Sequence, residues 1–375
     1  MKLLHTADWH LGKSIYGRSL LEDQAHFIYH SYLPALDTFR PDGVLLCGDV
    51  FDRAVAPPEA LRLFDQAATE TCQTRGIPLF VIAGNHDGPD RMAVGGALLR
   101  KSGLYLSVRI EGGVEQAVLE AGGEKAVMTL LPYFDPAAAR ESTGDSNLRG
   151  FADSFEAVLA PIRERLDSSC YNVLLSHCFV AGGKASDSEA ALYVGGSGEV
   201  GADSFKGFDY VALGHLHAPQ KSGGRGRYAG SPLKYSFDEE RQNKSMTMVT
   251  LGPAGIEAEP IPIQPLRDLR TMTGTMEALL KLPASQDYLF ANLEGPPVFE
   301  PMEKLRPRFP NLLGLRYVDR EAAGEPRRDA LRGELRQGRV DDMTVAAEFF
   351  KQLCGEEMTD DDRSVFAAFL GGDAI

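Results

Sequence analysis

The sequence predicts an α/β fold, and three features carry that prediction. Six short apolar runs, KLLHTA, GVLLCG, IPLFVIAG, KAVMTLLP, NVLLSH and YVALGH, recur between Met1 and about Pro262, with the apolar, often β-branched character of strands. Stretches of helical periodicity separate them. Five of the six runs end in polar motifs built from Asp, Asn and His, as expected where ligands gather at the carboxyl ends of strands in an open sheet.

The elements follow in order. Residues Pro58 to Arg75 open with prolines, stop at Gly76 and carry Leu61, Phe64, Ala68 and Cys72 at helical spacing, which predicts an amphipathic helix packed on a sheet or on a partner. MTMVTL and IEAEPIPI, joined by Gly252-Pro253, predict two closing strands and end a first domain at residues 1–262. Residues 263–320 predict a small α/β domain, with helices at Thr275–Leu282 and Pro301–Phe309 and strands at Tyr288–Leu293 and Leu312–Tyr317. Residues 321–340, rich in Arg, Glu and Gly, predict a solvated connector. The tail, 341–375, predicts two helices. One carries Val345, Phe349 and Leu353; the other follows the capping-box pattern Thr359-Asp360-Asp361-Asp362 and carries Val365, Phe366, Phe369 and Leu370. Two such helices have too little core to fold alone and need a surface to dock on.

Composition excludes several classes. A chain of 375 residues that is 43% hydrophobic and 25% charged is neither disordered nor fibrous. No apolar run approaches the roughly 18 residues of a membrane span, and the polar turn after KLLHTA is unlike a signal peptide, so a cytoplasmic protein without membrane attachment is expected. The five cysteines, Cys47, Cys72, Cys170, Cys178 and Cys354, show no CxxC spacing, which argues against a disulfide framework and a thiolate zinc site. The net charge of −14 looks unsuited to nucleic acid. Yet Asp341 to Ile375 holds nine acidic and two basic residues, half of that excess, whereas Lys304 to Arg339 holds ten basic and five acidic. Charge alone excludes neither DNA nor a small phosphate ester as substrate.

The chemistry lies in five motifs: Asp8-Trp9-His10, Gly48-Asp49-Val50-Phe51-Asp52-Arg53, Gly84-Asn85-His86-Asp87, Ser176-His177 and Gly214-His215-Leu216-His217. In Asp-x-His and His-x-His at a strand end, alternate side chains share a face, so two donors can reach one ion. Carboxylate, imidazole and amide donors without thiolate suit two first-row divalent cations. Asp49 is the natural bridge. Such a pair, roughly 3.5–4 Å apart, lowers the pKa of a shared water from about 15.7 toward 7 and stabilises in-line displacement at phosphorus. His86 is placed for proton transfer and charge stabilisation, Asp52 to orient it, and Arg53 to hold a phosphate oxygen; a plain surface ion pair of Asp52 with Arg53 is the alternative. Trp9, His5, His26 and His30 read as structural.

These motifs resemble the calcineurin-like metallophosphoesterase superfamily, and within it the SbcD family. The resemblance rests on His5 through Gly12, Gly17 through Gln24, Gly48 through Arg53, Ile82 through Asp87, Ser186-Asp187-Ser188-Glu189 and Gly230 through Phe237. It implies a two-sheet sandwich flanked by helices, with a small α/β capping domain and a helical C-terminal tail. It further implies that Asp8, His10, Asp49 and His217 hold one Mn²⁺ and that Asp49, Asn85, His177 and His215 hold the other, with His86 assisting the leaving group. The implied activity is that of a 3′→5′ exonuclease on duplex ends and an endonuclease on single strands and hairpins, in DNA repair and recombination. The implied partner is the SbcC ATPase, in a heterotetramer of two nuclease and two ATPase subunits. The nuclease subunits would form a homodimer through helices near Pro58 to Arg75 and Asp90 to Lys101, the small domain would cap the DNA groove, and the tail would dock on the coiled-coil base of SbcC. One position departs from the pattern: Asp52 stands where archaeal and eukaryotic relatives carry histidine. A metallophosphatase or phosphodiesterase for small molecules or phosphoproteins uses the same metal core, and an inactive scaffold would keep the fold alone; the intact donor set argues against the latter, because Asp8 buried beside Asp49 without cations carries a heavy desolvation cost.

Overall fold

In the first strand, β1 (Lys2–Thr6), Leu3 and Leu4 point to opposite faces and both are fully buried, so its sheet has to be covered on both sides. A computed structural model of the chain shows how. It describes residues 1–189, 198–318, 343, 347, 350 and 358–370. β1 is followed by parallel neighbours β2 (Gly43–Cys47), β3 (Leu79–Ile82) and β4 (Leu104–Ser107). The chain then builds a second sheet from β5 (Glu115–Ala121), β6 (Glu124–Leu131), β7 (Tyr171–His177), β8 (Tyr210–Gly214), β9 (Gln220–Ser222) and β10 (Gly226–Tyr228), in the order β9-β10-β8-β7-β6-β5. The hairpin β11 (Ser245–Gly252) and β12 (Gly255–Pro262) returns antiparallel onto β1 and completes the first sheet as β12-β11-β1-β2-β3-β4.

Alternation within each strand sorts the layers. Leu3, Leu45, Phe80 and Ile82 meet Met128, Leu130, Val173, Leu175 and Ala212 between the sheets. On the outer face of the first sheet, Leu4, Val44, Leu46 and Val81 pack against helical residues such as Phe27, Tyr32, Leu36 and Leu63. On the outer face of the second, Leu174, Val211 and Leu213 pack against Phe155, Val158 and Leu159 of the helix Phe151–Arg163. This is a helix-flanked sandwich of two sheets, with three apolar interfaces of the kind that dominate folding free energy.

The helix Pro58–Thr69 continues through a π-helical turn, Glu70–Thr74, close to its predicted end. Its buried face keeps Ala68 from the expected stripe, with Cys72 packed against the core, but is centred one residue earlier. Ala60, Leu63, Ala67 and Thr71 face the sheet, whereas Leu61 is 49% exposed and Phe64 only partly buried. The small Ala60 and Ala67 side chains let the helix lie close to its neighbours, leaving the larger apolar pair on its outer flank.

The molecule divides into two compact units, Met1–Thr271 with Gln286–Leu289, and Met272–Ser285 with Phe290–Ile375. A third sheet, β13 (Leu269–Thr275), β14 (Tyr288–Glu294) and β15 (Leu312–Tyr317), runs in that order. The second unit's helix Met276–Lys281 starts where Thr275 caps it, the side chain accepting from the Ala278 N–H. Its helix Pro301–Leu305 stops short of the predicted Phe309, because Pro307 has no N–H with which to continue the helical hydrogen-bond ladder. The connector 321–340 and the helix with Val345, Phe349 and Leu353 lie outside the described residues. The last helix, Asp360–Leu370, is present, with Thr359 and Asp362 exchanging the predicted capping-box hydrogen bonds; the side chains of Phe369 and Leu370 are outside the described set. Among the described residues no helix is long and apolar enough to cross a membrane.

Candidate metal centre

The tips of β1, β2, β3, β7 and β8 bring their motifs to one place, at the shared end of the two sheets. Contact between the sheets there depends on glycine: a Cβ on Gly214 would sit 1.8 Å from the Cys47 carbonyl oxygen. The loops leaving β1 and β2 stay paired beyond the strands, through Asp8 N–H to Gly48 O (3.1 Å), His10 N–H to Asp49 O (2.9 Å) and Leu11 N–H to Val50 O (2.9 Å).

The side chains do not converge through strand alternation as expected. β1 ends at Thr6 and β8 at Gly214, and Asp8 (φ 54°), His10 (φ 44°), Asp49 (φ 48°) and His215 (φ 103°) adopt positive φ. Backbone of that kind costs about 1–3 kcal/mol at a non-glycine residue and persists where surrounding structure holds it. It turns donors from separate loops toward a single point.

Three groups of donor atoms lie within 4.8 Å of one another: Asp8, His10 and His217; His10, Asp49 and His86; Asp8, Asp49 and His177. His10 Nε2 is 3.1 Å from His217 Nε2 and 3.5 Å from Asp49 Oδ2. On the other side, His177 Nε2 is 3.4 Å from Asp49 Oδ2 and 3.1 Å from Asn85 Oδ1, and His215 Nδ1 is 3.2 Å from Asn85 Oδ1. Asp49 Oδ2 therefore stands between the two histidine pairs. His177 Nδ1 faces the Cys47 carbonyl at 2.9 Å and so carries a proton, which directs Nε2 into the cluster.

The residues fit a pair of cations. The His10 and His217 Nε2 atoms, 3.1 Å apart, are near enough for one ion to take both at the usual metal to imidazole length of about 2.1 Å. Asp8 and Asp49 are 0% and 2% exposed, a placement for two carboxylates that calls for compensating positive charge. Within the protein alone, burial, aided by Asp49, pushes the Asp8 carboxyl well above its usual range despite the opposing His177. Burial acts upward on Asp49 too, but His177 and His10 hold it well below. Burial works against charge on His177, yet Asp49 and Asp8 raise it to about 9; burial lowers His215 to about 3.

His86 sits at the edge of the cluster. Its N–H donates to Asp49 Oδ1 at 2.9 Å, and its Nδ1 lies 2.9 Å from the main-chain oxygen of Asp52. The Asp52 carboxylate instead accepts from Lys13 Nζ at 2.8 Å, with His10 Nδ1 at 3.7 Å. Arg53 is exposed. The structure thus brings together all seven predicted metal donors and His86, places Asp52 beside them through its carbonyl, and leaves Arg53 on the surface. Trp9 is buried with its ring edge-on to Phe27 and Tyr32, and His5 lies between the sheets, 2.9 Å from Tyr210 Oη. Neither points into the cluster as a donor.

Sequence reasoning missed the residues that hold these loops. Asp87 accepts from the N–H groups of Gly84, Val50 and Phe51, tying the second and third motifs together. Gln24 accepts from Gly12 N–H and donates to the His10 carbonyl at 2.7 Å. Tyr235 Oη donates to the Trp9 carbonyl at 2.6 Å, and its ring packs edge-on against both His10 and His217. The available signal is the pair of motifs Asp-Gln and Ser-Pro-Leu-Lys-Tyr-Ser, to which the sequence alone gives no role. Gly84 is fixed by close approach, since a Cβ there would meet Asp49 Oδ1 at 2.2 Å. Gly84→Ala is therefore expected to displace Asp49 and weaken metal binding about 10–100-fold, with the fold kept. Titration calorimetry with Mn²⁺ checks this; wild-type affinity would contradict it.

Known proteins share much of this chain. The D subunit of the nuclease SbcCD of Staphylococcus epidermidis is 29% identical to it over 366 residues, covering 96% of this chain and 95% of that protein. The crystal structure of TT1561 of Thermus thermophilus aligns with a TM-score of 0.39 at 12% identity, covering 69% of this chain and 98% of that one. The calcineurin-like phosphoesterase family matches residues 1–219. That match runs from the first strand through His217 and takes in every residue of the cluster, and the chain belongs to the calcineurin-like phosphoesterase family.

Proposed function

We propose that the protein is a Mn²⁺-dependent DNA nuclease, the nuclease subunit of a complex of the SbcCD kind. The observation that carries this reading is the cluster around Asp49, set in a chain similar to an SbcCD nuclease subunit along 96% of its length rather than over the phosphoesterase region alone. Asp8, His10, Asp49 and His217 would hold one cation and Asp49, Asn85, His177 and His215 the other. His86, held by Asp49 and the Asp52 carbonyl, would give a proton to the leaving oxygen. Lys13 keeps the Asp52 carboxylate engaged, so Asp52 acts on His86 through its main chain. Arg53, exposed beside the cluster in sequence, would meet a phosphate oxygen.

The substrate would be DNA, cut 3′→5′ from duplex ends and internally in single strands and hairpins, in repair and recombination. Exposed Lys304 and Arg306 in the second unit suit phosphate contact. A cytoplasmic site of action is consistent with the free thiols of Cys47, Cys72, Cys170 and Cys178. Homodimer formation has a candidate surface: exposed Leu61 and Val94 line, with Phe64 and Met92, an apolar hollow of about 480 Å³. Cleavage of end-labelled duplex and hairpin DNA with Mn²⁺ tests the reading. Salt-sensitive duplex binding and cutting would support it. Hydrolysis of small phosphate esters with no duplex binding would replace it with a phosphatase.

The SbcC ATPase would be the partner, in a two-plus-two complex, docked through the tail. Val365, on the last helix, is 60% exposed, in keeping with an apolar face that awaits cover. A chain truncated before Asp341 is expected to keep metal-dependent cleavage and lose the ATPase on co-purification. Retention of the ATPase by the truncated chain would overturn this assignment of the tail.

A further inference from the structure

The motif Ser186-Asp187-Ser188-Glu189 and the buried pair Glu239 and Lys244 have no part in the roles above, yet they converge on His217. We infer that Ser188, backed by Glu239, is a positioning residue that holds His217 in the Nδ1–H tautomer and so presents its Nε2 lone pair to a cation. The inference rests on the metal reading for its purpose, and on hydrogen-bond polarity for its content.

The polarity can be followed from one end. Lys244 Nζ, nearly buried, lies 2.6 Å from Glu239 Oε2 and also donates to the His217 carbonyl at 2.8 Å. A carboxylate paired with an ammonium has no proton to give and only accepts. Ser188 Oγ lies 2.6 Å from Glu239 Oε1, so the single hydroxyl proton of Ser188 points to Glu239. The neighbouring Ser186 hydroxyl is committed to Glu189 Oε2 at 2.9 Å. Ser188 Oγ thus has only lone pairs left for His217 Nδ1, 2.7 Å away, and that nitrogen must be the donor. The proton on Nδ1 leaves Nε2 bare, facing His10 Nε2 at 3.1 Å. Glu189 adds a second restraint by accepting from the His217 main-chain N–H. A hydrogen-bonded outer nitrogen that fixes the ring and tautomer is the usual support of a metal-binding histidine; here a serine hydroxyl stands between imidazole and carboxylate.

Ser188→Ala removes the acceptor. The next one for Nδ1–H is Glu239 Oε1 at 3.4 Å, beyond normal hydrogen-bond length. Selective ¹⁵N-histidine NMR of the metal-free full-length protein should show His217 as the Nδ1–H tautomer in the wild type and a gain of the Nε2–H form in Ser188→Ala. Mn²⁺ affinity should fall about 10–100-fold and be restored by Ser188→Thr, which keeps the hydroxyl. Glu239→Gln should weaken Mn²⁺ in the same way, and it carries the test if Ser188→Ala does not fold. An unchanged tautomer with unchanged Mn²⁺ affinity in either folded variant overturns the inference. Failure of the wild type to bind Mn²⁺ would overturn the metal reading instead, while the tautomer comparison on metal-free protein still decides the role of Ser188.

Discussion

Asp49→Ala is expected to lower Mn²⁺-dependent phosphodiester hydrolysis at least about a thousandfold, near 4 kcal/mol of transition-state stabilisation, and to abolish the thermal stabilisation that Mn²⁺ gives the wild type. Both effects have one cause. Asp49 Oδ2 stands 3.5 Å from His10 Nε2 and 3.4 Å from His177 Nε2, so its loss removes a donor from both halves of the cluster at once. Its other oxygen receives the His86 main-chain N–H, so the proposed proton-transfer group loses its seat as well. The stability effect follows from burial. Asp8 and Asp49 are almost completely withdrawn from water, and cations bound there as proposed would favour the folded state by about 2.7 kcal/mol when free metal is a hundredfold above its dissociation constant. In Asp49→Ala that linkage disappears, and the melting temperature should no longer respond to Mn²⁺ or to a chelator. Scanning calorimetry with and without Mn²⁺, beside hydrolysis of bis-p-nitrophenyl phosphate, measures both. Wild-type turnover in this variant would remove the proposed site.

The donors are legible in the sequence because each motif ends an apolar strand, and strands β1, β2, β3, β7 and β8 announce themselves by short apolar runs such as Val44-Leu45-Leu46-Cys47 and Leu79-Phe80-Val81-Ile82. β4 and β5 are not legible in the same way. Leu104–Ser107 is only four residues long, and Glu115–Ala121 buries only Ala117 and Leu119, leaving Val118 exposed between them; both strands lie at a sheet edge, where burial, and hence pattern, is weaker. β13 is hidden for a similar reason, its Arg270, Thr271 and Thr273 interrupting the apolar positions. The convergence of Asp8 with His10 follows from the motif, but its cause does not, since positive φ at Asp8, His10 and Asp49 is imposed by the paired loops rather than by local preference. Likewise Glu239 cannot be tied to His217 from spacing: the contact depends on a 3-10 turn, Phe237–Arg241, brought back under the metal cluster by tertiary packing. Long-range hydrogen bonds of this sort leave no period in the sequence.

His86→Ala is expected to reduce turnover by about 10²–10⁴-fold while leaving the metal content near that of the wild type, a separation that Asp49→Ala does not show. The geometry argues for it. His86 is the partly buried histidine of the cluster, against the buried His10, His177, His215 and His217, so it has access to a substrate where those four do not. Its N–H and Nδ1 are already held, by Asp49 Oδ1 and by the Asp52 carbonyl. With Nδ1–H donating to that carbonyl, Nε2 is the remaining ring atom, and a proton there can be shared with a leaving oxygen. Removing the ring takes away that contact without emptying either pair, His10 with His217 or His177 with His215. The expected result is a lowered kcat, with Mn²⁺ stoichiometry by elemental analysis unchanged. Metal loss equal to that of Asp49→Ala would make His86 a ligand rather than a proton donor. Full activity would leave the leaving oxygen to be protonated by water alone.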